Sequence, residues 1–377
     1  MKIIIAPDSY KESLTALEVA ENIEKGIKAI MPEADTIKVP MADGGEGTVQ
    51  ALVDAHDGQI IEEEVIGPVG KKVKAFYGIL DKKTAVIEMA AASGISYIDP
   101  ATVDPRKTTT YGTGQLIKSA LERGASHIIL GIGGSATMDA GIGALKALGF
   151  SFKDKNGQRI GRGGGQIGRI ASVSKENIYP PAEELYLEIA CDVSNPFYGK
   201  NGAAYIYGPQ KGASQEQVEE LDQNFRRFNQ FVKENYSRDL QQLAGAGAAG
   251  GLGAGLITFL NGELKGGADI VARANQLAEK LKGADLVITG EGQLDSQTVN
   301  NKAPIHVAHL AQKQGIPVIA IAGSLGAGYQ QVYQEGITAA FSIVNKPDSL
   351  NKIILATPEL LQETARNIIK LITLNIY

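Results

Sequence analysis

Carboxylates, hydroxyls and glycines recur in this chain directly after short apolar runs. Ile3–Ala6 leads into Pro7-Asp8-Ser9, and Ile37–Pro40 into Ala42-Asp43-Gly44-Gly45-Glu46. Ile128–Ile132 leads into Gly133-Gly134-Ser135-Ala136-Thr137, Leu187–Ala190 into Cys191-Asp192-Val193-Ser194-Asn195, and Leu286–Thr289 into Gly290-Glu291-Gly292. Such runs read as buried strands, and open α/β sheets bind ligands beyond the carboxyl ends of their strands. Glycine lets a backbone approach a phosphate, and carboxylates hold the magnesium that accompanies it. The combination predicts phosphoryl-transfer chemistry.

Each residue type has a role in such chemistry and a plainer alternative. Asp43, Glu291 and Asp295 are the candidate magnesium ligands, with Glu46 in a similar position. A single acidic residue in a glycine-rich loop is more often a turn former, but four from two distant segments favour a shared site. Asp8 and Lys11 pair a carboxylate with a phosphate-binding ammonium, or else form a surface ion pair. Asp192, beside Asn195-Pro196, is placed to accept a hydroxyl proton, with a helix or turn cap as the alternative. The backbone N–H groups of Gly133 and Gly134 and the hydroxyls of Ser135 and Thr137 are expected to donate to phosphate oxygens. Ser9, Asn195 and Lys211 complete the candidate substrate and phosphate contacts, Lys211 and Lys302 being alternatively solvated surface lysines.

Two glycine patterns admit a different reading. Gly131–Ala136 fits a loose dinucleotide fingerprint, whose acidic partner would be Asp154 in the turn-like Lys153–Gly157. Gly245–Gly250 matches G-x-G-x-x-G literally but follows the helix-like Leu240–Leu243, so close backbone packing is its expected role. No G-x-x-x-x-G-K-[ST] occurs, so any ATP is held without a P-loop.

The elements that must position these groups are legible from periodicity. Lys2–Ala6 is a strand, and Thr15 with Glu18 forms a capping box opening a helix near Ala16. Thr36–Pro40 is a second strand and Thr48–Val53 opens a helix. Glu62–Ile66, Lys71–Leu80 and Thr84–Met89 read as antiparallel strands, and Thr113 as the cap of a helix closed by Gly124. Strand His127–Ile132, helix Asp139–Leu148, a glycine-rich loop Gly157–Gly168 and strand Leu185–Ala190 follow. Ser214 and Gln217 form a second capping box before an amphipathic helix. Helix Ile270–Leu281, strand Leu286–Thr289, helix Pro304–Gln314, strands Val318–Ala322 and Ala339–Val344, and helix Glu359–Leu371 restore the alternating pattern. The expected fold class is α/β: a Rossmann-like doubly wound domain formed by both termini, residues 1–60 and 265–377, with an inserted second mixed α/β domain, residues 61–264. The active site is expected in the cleft between them.

Bulk properties narrow the class. A chain of 377 residues exceeds one ordinary core. A net charge of −5 argues against a nucleic-acid partner. Cys191 is the single cysteine, so no intramolecular disulfide forms and a cytoplasmic location is expected. Cys191 itself reads as a small buried hydrophobe. His306 and His309 lie one helical turn apart without a third ligand, and read as ordinary histidines. The amino terminus enters a strand at once, so no signal peptide is expected, and Gly245–Leu260 is too short to span a bilayer. No membrane association is expected.

Ala6-Pro7-Asp8-Ser9-Tyr10-Lys11-Glu12-Ser13-Leu14, Pro40–Thr48, Thr109–Gly114, Gly131–Thr137, Gly208–Ala213 and Ile288–Asp295, taken in order, resemble the bacterial glycerate kinase family found with glyoxylate and glucarate pathways. The resemblance implies a two-domain α/β enzyme using ATP and Mg2+ to phosphorylate glycerate. The implied reaction is D-glycerate to 2-phosphoglycerate, with 3-phosphoglycerate as the alternative product, in a monomer or homodimer. From the residues themselves, Asp192 or Asp8 is expected to take the hydroxyl proton, and Lys11 with Gly133–Thr137 to stabilise the transferring group. Tyr10, Met138 and Gln293 stand where the family usually has Phe, Asn and Arg. Two other classes remain as alternatives, an NAD-dependent hydroxy-acid dehydrogenase and a non-catalytic nucleotide- or sugar-acid-binding protein.

Overall fold

Apolar runs bounded by polar turns form the strands of the computed structural model, which describes residues 1–300 and 302–374. In chain order they are β1 (Lys2–Pro7), β2 (Asp35–Lys38), β3 (Gln59–Ile66), β4 (Lys72–Ile79), β5 (Thr84–Glu88), β6 (His127–Gly131) and β7 (Ser151–Lys153). β8 (Ser172–Ser174), β9 (Tyr186–Ala190), β10 (Glu263–Lys265), β11 (Leu286–Leu294), β12 (Val318–Leu325) and β13 (Ala339–Ser342) follow. The protein is of mixed α/β class. It divides into two compact units, one of Met1–Asp43, Gln50–Asp57 and the chain from Ala268 onward, the other of Gly44–Val49 and Gly58–Gly267.

In the first unit five parallel strands run in the order β13-β12-β11-β1-β2. Ile3, Ile5, Ile288 and Ile321 form one buried cluster with Val19, Ile23 and Ile27 of helix Ala16–Lys28 and with Leu361 and Ile368 of helix Leu350–Ile372. The Thr15–Glu18 capping box is formed: the Glu18 amide donates to Thr15 Oγ1 at 3.2 Å and the Thr15 amide to the Glu18 carboxylate at 2.8 Å.

Three expectations for this unit are corrected. β11 does not stop at Thr289, because it is paired on both sides: Pro7 lies opposite Gly290, and Leu294 opposite Leu325. Glu291 therefore lies within a strand, not beyond one. The expected helix Ile270–Leu281 is broken where Gln276 adopts φ 53°, giving Gly267–Ala274 and Leu277–Lys280. The last helix starts at Leu350, nine residues before the expected Glu359, and carries Pro358 inside. Proline lacks the N–H that would bond the carbonyl four residues back, here Ile354. Ser13 Oγ donates to that carbonyl at 3.2 Å and offsets the loss.

In the second unit a six-stranded sheet has the order β10-β9-β6-β5-β4-β3. β4 is antiparallel to both β3 and β5, as expected, but β5 runs parallel to β6. Helix Gln215–Tyr236 opens with the Ser214–Gln217 capping box and buries Leu221, Phe225 and Phe228. Thr113 is not a cap: helix Tyr111–Glu122 starts two residues earlier and encloses it, with its hydroxyl 2.9 Å from Ser93 Oγ. The helix expected over Asp139–Leu148 is confined to Ile142–Ala147, since Ala140 and Gly141 have positive φ. Within the glycine-rich stretch Gly157–Gly168 a short helix forms at Gly164–Ile167.

Candidate active site

In the first unit the strand ends bring acidic groups together. Asp8 follows β1, where its amide donates to the Gly290 carbonyl at 2.8 Å and its carboxylate accepts from the Ser9 amide at 2.6 Å. Burial pushes its pKa up to about 7, and the nearby Asp43 and Glu291 carboxylates push the same way against the Ser9 hydrogen bonds. Glu291 accepts from Thr298 Oγ1 at 2.7 Å and from Lys302 Nζ at 3.2 Å. Burial raises its pKa, opposed by Thr298 and Lys302 and assisted by Asp43. Burial works to lower the Lys302 pKa, but Glu291, Asp295 and Asp43 outweigh it and raise the ammonium overall. Asp295 accepts from the Gln297 amide at 2.7 Å and so shapes its own turn.

This local surplus of negative charge has hard oxygen donors and suits a divalent cation. Among the described residues no three or more His, Cys, Asp or Glu side chains form a ready-made metal cage. Magnesium does not need one, because one or two carboxylates usually act with substrate phosphates and water. Lys11 is exposed and makes no ion pair among the described residues, so no Asp8–Lys11 pair forms. Tyr10 is buried, its hydroxyl donates to the Ile321 carbonyl at 2.8 Å, and burial raises its pKa.

In the second unit the glycine loop after β6 is held from below. Gly133 and Gly134 are exposed, whereas Ser135 and Thr137 are buried. Lys211, only 1% exposed, donates from Nζ to Ser135 Oγ at 2.6 Å and to the Thr137 carbonyl at 2.8 Å. Burial pushes its pKa down to about 7, with the Asp139 carboxylate opposing. Lys211 is thus a support for the loop and not a solvated surface lysine. Thr137 Oγ1 is buried without a hydrogen-bond partner.

Glycines allow the close approaches around this loop. A Cβ on Gly131 would lie 2.5 Å from the Gly44 carbonyl, and one on Gly250 only 2.0 Å from the Thr137 carbonyl. The literal G-x-G-x-x-G run therefore acts in close packing, as its sequence context predicted.

Other candidates are engaged in local structure. Asp192 is exposed after β9 and accepts from the Gly267 amide at 2.9 Å. Asn195 accepts from the Tyr207 hydroxyl at 2.6 Å and donates to the Asn201 carbonyl at 3.0 Å. Cys191 is half-buried, and burial pushes its thiol pKa up. Asp154 sits in a turn, accepts from the Asn156 and Gln158 amides and pairs with Arg169 at 2.9 Å, which removes the acidic partner a dinucleotide site requires. His309 pairs with Glu335 at 2.9 Å, and His306 lies 3.9 Å from Asp269.

Two carboxylates went unnoticed in the sequence. Asp139, 1% exposed, accepts from the amides of Thr110, Gly141 and Gly143 and from Thr110 Oγ1. Burial raises its pKa while those bonds lower it, and it anchors the chain just after the glycine loop. Its place at the end of Gly133–Asp139 was the available signal. Glu88, at the end of β5, accepts from the Val49 amide at 2.8 Å. Burial pushes its pKa up to about 7, against the amides of Val49, Gly47 and Thr48. Nothing in sequence distinguished it from a strand-end surface glutamate.

Among the described residues no helix is long and apolar enough to cross a membrane. The sequence model of the Glycerate kinase family matches residues 3–373. A protein named glycerate kinase from Halalkalibacterium halodurans is 49% identical over 97% of either chain. One named glycerate 2-kinase from Escherichia coli is 48% identical over 98% of this chain and 97% of its own. A crystal structure described provisionally as glycerate kinase 2 from Salmonella typhimurium matches with a TM-score of 0.91 at 47% identity, covering 99% of this chain and 98% of that one.

Proposed function

We propose that this chain, which belongs to the glycerate kinase family and phosphorylates glycerate with ATP, delivers the phosphoryl group to the 2-hydroxyl of D-glycerate. The relative named glycerate 2-kinase supports that position. The observation that carries the site assignment lies in the parallel sheet. Chain order runs one way from β1 to β2 and the other way from β11 to β12 and β13, and Asp8 and Glu291 lie on or just past the adjacent strands β1 and β11. Open α/β sheets bind ligands at such a reversal. We read this sheet as Rossmann-like and doubly wound. The buried cluster on one face takes in helices Ala16–Lys28 and Leu350–Ile372, while Ile305 and Val307 of helix Ala303–Gln312 are buried outside that cluster.

Asp8 is assigned as the acceptor of the substrate hydroxyl proton, from its place at the strand end and its hydrogen bond to the Ser9 amide. Asp43 and Glu291 are the residues that would hold magnesium, and Asp295 adds negative charge from its turn. Magnesium, when bound with ATP, neutralises charge on the phosphates. Lys302 and Lys11 are the cations assigned to anionic oxygens of the substrates. In the second unit the exposed Gly133 and Gly134 amides are assigned as phosphate donors, with Lys211 keeping Ser135 and Thr137 in place beneath them. Asp192 and Asn195 are assigned to shaping the loop after β9.

The test is glycerate-dependent ADP release. Asp8→Asn and Asp43→Asn should each lower kcat by roughly 10²-fold or more in a folded protein. Near-wild-type kcat in either folded variant would remove that residue from the mechanism.

A further inference from the structure

Away from every group assigned to phosphoryl transfer, the second unit holds a cavity of about 330 Å³ beside strand β7. Lys146, Ser151, Arg159 and Asn177 give it polar lining, Phe150 and Phe152 an apolar wall, and no acidic residue lines it. Its walls are tied down. The Ile160 amide donates to the Phe152 carbonyl at 3.0 Å, and Gly149 lies so near the Asn177 carbonyl that a Cβ would meet it at 1.9 Å.

Three lining groups have unused hydrogen-bonding capacity. Ser151 Oγ is buried and has no partner. Buried hydroxyls are almost always paired, so an orphan of this kind calls for a ligand or an equivalent. Arg159 is exposed and its guanidinium makes no ion pair among the described residues. Lys146 donates to the Ile160 and Gly161 carbonyls at 3.0 and 2.6 Å, which leaves one of its three protons. Burial lowers the Lys146 pKa, the Asp139 carboxylate opposes that, and Arg162 adds to it as a like charge. An anion in the cavity offsets the cost of burying that ammonium and offers acceptors to these donors.

We propose that this cavity binds a small phosphomonoester with a short apolar body. The phosphate accepts from the Arg159 fork, the remaining Lys146 proton and the Ser151 hydroxyl, and the carbon body lies against Phe150 and Phe152. None of these residues takes part in the proposed reaction, so the site does not depend on that reading.

Isothermal titration of the full chain with phenyl phosphate, and separately with inorganic phosphate, tests it. Phenyl phosphate should bind more tightly than inorganic phosphate. Arg159→Gln and Ser151→Ala should each weaken phenyl phosphate binding by about tenfold or more, the loss of one charge-assisted or buried hydrogen bond, with glycerate phosphorylation unchanged. No heat up to about 10 mM phenyl phosphate, or wild-type affinity in either variant, overturns the proposal. Equal affinity for the two probes overturns the role of the apolar wall.

Discussion

Lys211 shows how burial turns a residue of surface type into a support. Its ammonium lies under the glycine loop, bonded to Ser135 Oγ and the Thr137 carbonyl. Replacing it with methionine keeps most of the volume and removes both bonds. Lys211→Met is predicted to lower kcat/KM by roughly 10- to 100-fold through displacement of the loop, as read in the coupled ADP assay. A buried lysine is rare, and Gly208-Pro209-Gln210-Lys211-Gly212 carries no sign of it. Sequence pattern found the residue as a candidate contact. Only the tertiary packing shows which atoms it touches, and the same holds for Asp139 and Glu88, whose partners Thr110 and Val49 come from elsewhere in the chain.

At the scale of elements, two contacts explain why the chain departs from its local signals. Pro358 marks a helix boundary by ordinary rules, yet the helix runs through it because Ser13 occupies the orphaned Ile354 carbonyl. Ser13→Ala is predicted to lower stability by about 1 kcal/mol in denaturant unfolding, since that carbonyl loses its donor. Gly250 has φ +64° and lies against the Thr137 carbonyl. Gly250→Ala is therefore predicted to destabilise by more than about 2 kcal/mol, and to impair activity because the glycine loop must shift. Central strands were readable from apolar runs and both capping boxes from their spacing. The end of β11 was not, because pairing on both sides overrides the glycines at Gly290 and Gly292.

At the scale of the whole molecule, buried ionisable groups shape the dependence of stability on pH. Glu88 has its pKa pushed up to about 7, so the folded state holds a proton that the unfolded chain has released. Its contribution is present below the ordinary carboxylate pKa and is lost as pH rises through about 7. Lys211 acts in the opposite sense above that point. The folded state sheds its proton near pH 7 while the unfolded lysine keeps it until about pH 10.4, so stability rises with pH across that interval. These two groups together predict a minimum near neutral pH in a plot of Tm against pH. Glu88→Gln should make the acid side shallower, Asp8 with its pKa also near 7 keeping part of the slope, and Lys211→Met should flatten the alkaline side; an unchanged profile in both variants would contradict the assignment. The central claim concerns chemistry and is tested most directly by phosphorus NMR of the product formed from ATP, magnesium and D-glycerate. The account predicts the resonance of 2-phosphoglycerate with stoichiometric ADP; 3-phosphoglycerate, or ATP left unconsumed, would contradict it.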